Sequence, residues 1–241
     1  MVENREIAVP MALLLVMAEA EGPLGAGAAR EALLRDGVDI SEATAGRLLR
    51  DLEREGLALK VGVQGRKLTE KGREAAAEIC RRRTNEASAE ALLEALRPTD
   101  KGELVDLVVA RRALETETAR LAALNGTEEE LERLREIVAE TRRLTSAGRS
   151  MAGSDGAFHA QIARMSHNSI LEAALHLIWH NGQYSPLLEA IRHKQGRTLG
   201  SDHERLFQAI ASRDGERARL AMTEHLNNVL RDVEALPDDG A

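Results

Sequence analysis

Asp155 and His159 stand four residues apart, a spacing that on a helix puts both side chains on one face, where they can reach one ion. His203 and His225 are each eleven residues from Asp214, in the turn Ser212-Arg213-Asp214-Gly215. In an antiparallel helical hairpin, residues equidistant from the turn face each other at one level. Each histidine also belongs to an apolar stripe: Leu199, His203, Leu206 and Ile210; Ala218, Met222, His225 and Val229; Asp155, Phe158, His159 and Ile162. All three therefore point inward. A buried polar cluster left without partners costs on the order of several kcal/mol, whereas one divalent cation satisfies every member. Three imidazoles and a carboxylate suit Zn²⁺, and Ni²⁺ or Mn²⁺ fit the same donor set. Singly, each histidine reads as a core imidazole bonded to a backbone carbonyl, and it is the set of four that carries the metal reading. His176 and His180, also four apart, read as helix-surface or pocket-lining residues, and His167 and His193 have no comparable pattern.

Arg111 is a further inward polar residue, on the stripe Leu104, Leu107, Arg111, Leu114, Thr118 and Leu121. A guanidinium facing a helical interior needs an anion. Glu115, one turn on, can supply it, and so can the carboxylate of a small ligand whose other oxygens reach the metal.

The elements that must position these residues are legible from breakers and periodicity. The expected helices of the second half run over 101–125, 127–147, 154–166, 169–194 with a break near Gly182 to Pro186, 199–212 and 215–235. They define an all-α bundle over 101–236, preceded by a connecting helix and linker over 85–100 that ends at Arg97-Pro98-Thr99. The first half, 1–84, reads differently. A helix begins near Pro10, a short one runs from Ala26 to Arg35, and a third opens at Ser41, with Leu48, Leu49 and Leu52 inward up to Gly56. Leu57, Leu59, Val61 and Val63 then alternate, Gln64-Gly65 signals a turn, and Arg66 to Thr69 returns as the second strand of a hairpin. Three helices followed by a hairpin is the order of a winged helix-turn-helix domain, whose third helix enters the DNA major groove. The fold class expected is mainly α: a winged helix followed by an all-helical domain.

Composition bounds the function. The 241 residues hold one cysteine, Cys80, so no intramolecular disulfide is expected, and no apolar run approaches a membrane span. The apolar stretch Val9 to Ala18 lacks the basic flank of an export signal, having Glu3, Arg5 and Glu6 before it, so a cytoplasmic protein is expected. Aromatic residues make up 2%, which argues against stacking of single-stranded bases. The net charge of −7 seems to oppose nucleic acid, but residues 1–84 carry 14 basic and 14 acidic side chains, leaving the whole deficit to the second half. Within Thr44 to Arg83 the count is 11 basic against 6 acidic. DNA contacts are expected from Ser41 and Thr44 at the start of helix three, Arg47 and Arg50 on its outer face, and Arg66 and Lys67 on the wing, most of them to phosphate.

The second half, from about Gly102 to Leu236, resembles the FCD effector-binding domain of GntR-superfamily transcription regulators. The resemblance rests on Val109-Ala-Arg-Arg-Ala-Leu-Glu115 with Ala119-Arg-Leu-Ala-Ala123, Asp155-Gly-Ala-Phe-His159, Ser166-His-Asn-Ser-Ile-Leu171, Asp202-His203 with Ala209-Ile210, and His225-Leu226. It implies that Asp155, His159, His203 and His225 hold a divalent metal and that an organic-acid effector binds beside it, with Arg111 and Asn168 in the effector site. The segment Ile40 to Leu57 keeps that superfamily's capping Ser41 and closing Gly56-Leu57. It has Glu42 and Gly46 where the family's operator-reading arginines usually stand, and its wing is Gln64-Gly65-Arg66-Lys67 in place of a Gly-rich tip, which implies a different operator. The helix after Thr69 is similar to that of other winged-helix repressors.

The expected function is a homodimeric, non-enzymatic regulator that binds an inverted-repeat double-stranded operator and responds to a small carboxylate, since one recognition helix reads only a half-site. Two rivals share the donor set: a metalloenzyme using the His₃-Asp centre to activate water, and a dimerisation module with a purely structural ion.

Overall fold

The computed structural model describes residues 3–150, 152–181 and 199–237, together with Leu188, Ala190 and Ile191. The chain divides into two compact units, 1–90 and 91–241.

In the first unit, α1 (Glu3–Glu19), α2 (Ala26–Arg35) and α3 (Glu42–Arg54) precede the antiparallel pair β1 (Ala58–Val61) and β2 (Gly65–Leu68), after which α4 (Glu70–Ala95) begins. Leu13, Val16, Leu33, Ala45, Leu49, Leu52, Ala58, Leu68 and Ala76 form one apolar core. Ser41 caps α3 as expected, its hydroxyl accepting from the Thr44 amide at 3.1 Å. Leu24 pairs with Arg66 through two backbone hydrogen bonds of 2.8 and 2.9 Å, which ties the segment after α1 to the wing. Gly65 makes that approach feasible: its φ is +120°, and a Cβ there would stand 2.2 Å from the Leu24 carbonyl oxygen.

One detail of the sequence reading changes here. Helix α1 passes through Pro10 instead of starting at it; there the proline forfeits its own N–H bond and its ring crowds the carbonyl four residues before it. In the wing, Ala58 is buried while Leu59 is 40% exposed and Val63 fully exposed. Register decides this. Ala58 is paired with Leu68, and burying the larger Leu68 turns Ala58 inward with it.

The second unit holds α5 (Lys101–Asn125), α6 (Glu128–Ser146), α7 (Ala152–Met165), α8 (Ser169–Asn181), α9 (Leu199–Ala211) and α10 (Gly215–Glu234). These follow the expected boundaries closely; the break expected near Gly182 to Pro186 lies outside the described residues, as does His193. Side-chain caps start four of these helices: Asp100 on α5, the Thr127/Glu130 capping box on α6, Asn168 on α8 and Asp214 on α10. Helix α5 lies along α10, where Ala119 and Ala122 let the backbones approach, and α7 packs against α5, α6 and α8. Phe158, Ile162, Leu206, Ile210, Met222, Leu226 and Val229 fill the interior. Among the described residues no helix is long and apolar enough to cross a membrane.

Candidate functional site

Three helices of the second unit bring the four expected ligands together. Asp155 and His159 project from successive turns of α7, His203 from α9 and His225 from α10. The α9–α10 hairpin turns at Arg213, in a left-handed conformation (φ 60°), and sets the His203 and His225 rings 5.3 Å apart. One ring nitrogen from each of His159, His203 and His225 lies within 4.8 Å of the others. The Asp155 Oδ1 atom is 3.2 Å from Nε2 of His203 and 3.5 Å from Nε2 of His159. All four residues are buried, and Phe158 stacks on His203 at 4.0 Å.

These separations test whether a cation fits. Ligand atoms about 2.1 Å from one ion stand about 3.0 Å apart at adjacent octahedral positions and about 3.4 Å apart at tetrahedral ones. The Asp155–imidazole distances match that range and are long for hydrogen bonds. Asp155 Oδ1 and His159 Nε2 have no well-directed hydrogen bond among the described residues despite their burial. Donor set and spacing therefore both fit a divalent metal.

A further carboxylate backs this cluster. Arg111 Nε donates to Glu115 Oε1 at 2.7 Å, and the other oxygen, Oε2, is in ion-pair contact with His159 Nδ1. Both Arg111 and Glu115 are 1% exposed. Trp179 of α8 contacts both Arg111 and the cluster, with the Arg111 guanidinium 4.0 Å from its ring centre and His159 stacked on it at 4.7 Å. Asp202 has a comparable place beside His225, its Oδ2 3.6 Å from Nδ1, while its Oδ1 accepts from Arg205 at 2.6 Å. The sequence reading paired Glu115 with Arg111 but did not reach its contact with His159, nor the places of Asp202 and Trp179. The available signal was the buried polar run Arg111, Glu115 and Thr118 on one face of α5.

The electrostatics follow from burial and pairing. Burial pushes the Asp155 carboxyl up, but His159 and His203 beside it hold it well below the usual carboxylate range. Burial likewise opposes ionisation of Glu115 and is outweighed by Arg111 and His159, which hold it at about 2. His159 is depressed by burial, yet Glu115 and Asp155 carry it above the ordinary imidazole value. Burial takes His225 down to about 3 against the pull of Asp202, with His159 and His203 adding repulsion. Both carboxyl groups are thus held ionised by Arg111 and the imidazoles that face them.

Asn168 caps α8, its carbonyl oxygen accepting from the Ile170 and Leu171 amides at 3.1 Å each. Among the described residues it makes no hydrogen bond to the four clustered side chains. His176 and His180 are exposed and stacked on each other at 4.9 Å, as surface residues.

On the first unit, Arg47 and Arg50 stand exposed along α3, and Lys67 is exposed on β2. The Ser41 and Thr44 hydroxyls bond each other at 2.9 Å. Arg66 is not free at the wing: its Nε donates to Glu53 Oε2 at 2.7 Å and its side chain is 17% exposed, so it braces the wing against α3. The tip consists of Gly62, Val63 and Gln64, between the paired Val61 and Gly65.

A winged helix followed by an all-helical domain with a buried His₃-Asp cluster defines a two-part class of protein. Residues 106–228 match the FCD domain family, and the chain belongs to that family. Residues 11–76 match the winged-helix domain of ribonuclease R. The chain is 33% identical over 139 residues to the HTH-type transcriptional regulator LutR of Bacillus subtilis, covering 54% of this chain and 61% of that protein. It is 32% identical over 131 residues to the Uxu operon transcriptional regulator of Escherichia coli, covering 52% of this chain and 51% of that one. Among solved structures, Streptococcus agalactiae GntR aligns over 88% of this chain and 89% of that one, at 20% identity and a TM-score of 0.47. The chain spans about half the length of the relatives it matches. Those relatives are transcription regulators, not enzymes, so the metalloenzyme reading is set aside.

Proposed function

We propose that this chain is a GntR-superfamily transcription regulator whose winged helix binds a double-stranded operator and whose FCD domain holds a divalent metal and senses a small carboxylate. The convergence of Asp155, His159, His203 and His225 inside the family-matched domain carries this reading. Zinc is the first choice of metal, with nickel and manganese served by the same donors. When bound, the ion would supply a positive charge; the four side chains fill a tetrahedral set, and a carboxylate oxygen would join them only in a five- or six-coordinate arrangement.

The chain's own residues do the rest. Asp155 and the three histidines, all buried, present a preformed anchor. Arg47, Arg50 and Lys67 supply positive charge for phosphates, and the start of α3, at Ser41 and Thr44, stands nearest the base edges. A homodimer would place two such helices on an inverted repeat, in the cytoplasm where the operator lies. An effector changes operator affinity only if it binds the DNA-competent and DNA-incompetent states unequally.

The test is fluorescence anisotropy with duplex DNA from upstream of the chain's own gene, using metal-loaded full chain and a panel of small carboxylates. Salt-dependent binding to one site, changed by one carboxylate and unresponsive once chelator has removed the metal, is expected. Absence of DNA binding with and without the whole panel contradicts the regulator reading. Loss of folding on chelation, with no carboxylate response beforehand, would instead assign the ion a structural role.

A further inference from the structure

Two carboxylates outside the ligand set lie against the Nδ1 atoms of two ligand histidines, and each is held by an arginine. Glu115 contacts His159 and is held by Arg111; Asp202 lies by His225 and is held by Arg205. The two arrangements differ in kind. The Arg111–Glu115–His159 chain is buried at every member, and the Trp179 ring packs against both the guanidinium and the imidazole. In the other chain Arg205 is 57% exposed and also pairs with Glu224, and the Asp202–His225 separation is 3.6 Å.

A neutral imidazole has one N–H and one lone pair, so a histidine that offers Nε2 to a metal must carry its proton on Nδ1. An ionised carboxylate placed at Nδ1 selects that tautomer, fixes the ring plane and raises the basicity of Nε2. Glu115 meets these conditions. One oxygen is occupied by Arg111 and the other by His159 Nδ1, while Nε2 of the same ring faces Asp155 Oδ1. The aromatic face of Trp179 keeps both the guanidinium and the ring from rotating out of line.

We propose that Glu115, clamped by Arg111, is the positioning residue of the metal centre, fixing the tautomer and orientation of His159. This rests on the metal reading above. It gives the Nε of Arg111 to the protein's own carboxylate, and it makes Asp202 a weaker counterpart. A purely structural ion pair between Arg111 and Glu115 would stabilise the fold without touching His159's ring chemistry, so the two roles separate by experiment.

The test uses tag-free full chain, Zn²⁺ competition against a chromophoric chelator, and long-range ¹H–¹⁵N spectra of the imidazoles. The variants are Glu115→Gln, Asp202→Asn and the double change Arg111→Met with Glu115→Leu, which swaps the buried pair for apolar groups of similar bulk and keeps the fold testable. Loss of zinc affinity of about 10- to 100-fold is expected for Glu115→Gln and the double variant, with a smaller loss for Asp202→Asn. The protonated-Nδ1 signature of His159 should disappear in the double variant. Zinc affinity within about twofold of the parent in a folded double variant, with the His159 signature intact, overturns the proposal. Asp155→Ala controls the parent reading. If neither it nor the parent chain binds zinc, the metal site fails, and the His159 signature in the metal-free chains still decides whether Glu115 positions that ring.

Discussion

The two halves of the chain use charge in opposite ways. On α3 and the wing, Arg47, Arg50 and Lys67 stand in solvent. In the FCD domain, Arg111, Glu115, Asp155, His159, His203 and His225 are buried, and contacts among them link one to the next. Exposed charges keep their hydration and act at a distance on a polyanion, so their placement tolerates imprecision. Buried charges are desolvated and persist only where partners meet them at contact distance. The first arrangement suits a long, repetitive ligand such as duplex DNA, and the second a single ion.

Breaking the buried network has the largest expected effect. Arg111→Ala leaves Glu115 desolvated with only His159 as a partner, and should lower the unfolding free energy by about 3–5 kcal/mol in a denaturant titration. Acid comes next. In metal-depleted protein His225 has a folded value near 3 against 6.5 for an unperturbed imidazole, so the unfolded state binds more protons between those values. Its contribution is complete above about pH 6.5 and is lost as pH falls toward 3; the depressed carboxyl of Glu115, near 2 against 4.5, adds to the loss below pH 4.5. His159, raised by its two carboxylates, works in the opposite sense. Thermal melts across this range should show Tm falling with acid, and a Tm that rises would contradict the burial of His225.

The first unit should respond less. Ser41→Ala removes the α3 cap and should cost about 1 kcal/mol in the same titration. Smallest in stability is Arg47→Ala with Arg50→Ala, expected within about 0.5 kcal/mol of the parent. The same pair sharpens the comparison from the other side. Operator binding should weaken, and the slope of log affinity against log salt should shrink by about 2. An unchanged slope would remove both arginines from the DNA face.

Much of this architecture was legible because the helical signals are local. Breakers and caps mark α2, α3, α5, α6 and α10, and equal distances from Asp214 sufficed to bring His203 and His225 together. What escaped was set across elements. Glu115 is 44 positions from His159 in the chain, and its contact depends on how α5 and α7 are rotated about their axes, which periodicity does not specify. The alternation of Leu57, Leu59, Val61 and Val63 does not by itself say which side of the wing packs, and the pairing of Ala58 with Leu68 decides it. Arg66 looked available for DNA since nothing local pairs with it, and Glu53 reaches it only because the wing folds back on α3.

Metal content of the purified chain tests the central claim most directly. Tag-free protein, dialysed against zinc and then against buffer, should retain one zinc per chain by plasma mass spectrometry, and His203→Ala, folded by circular dichroism, should retain none. A parent chain without metal, or a His203→Ala variant that keeps its full equivalent, would contradict the account.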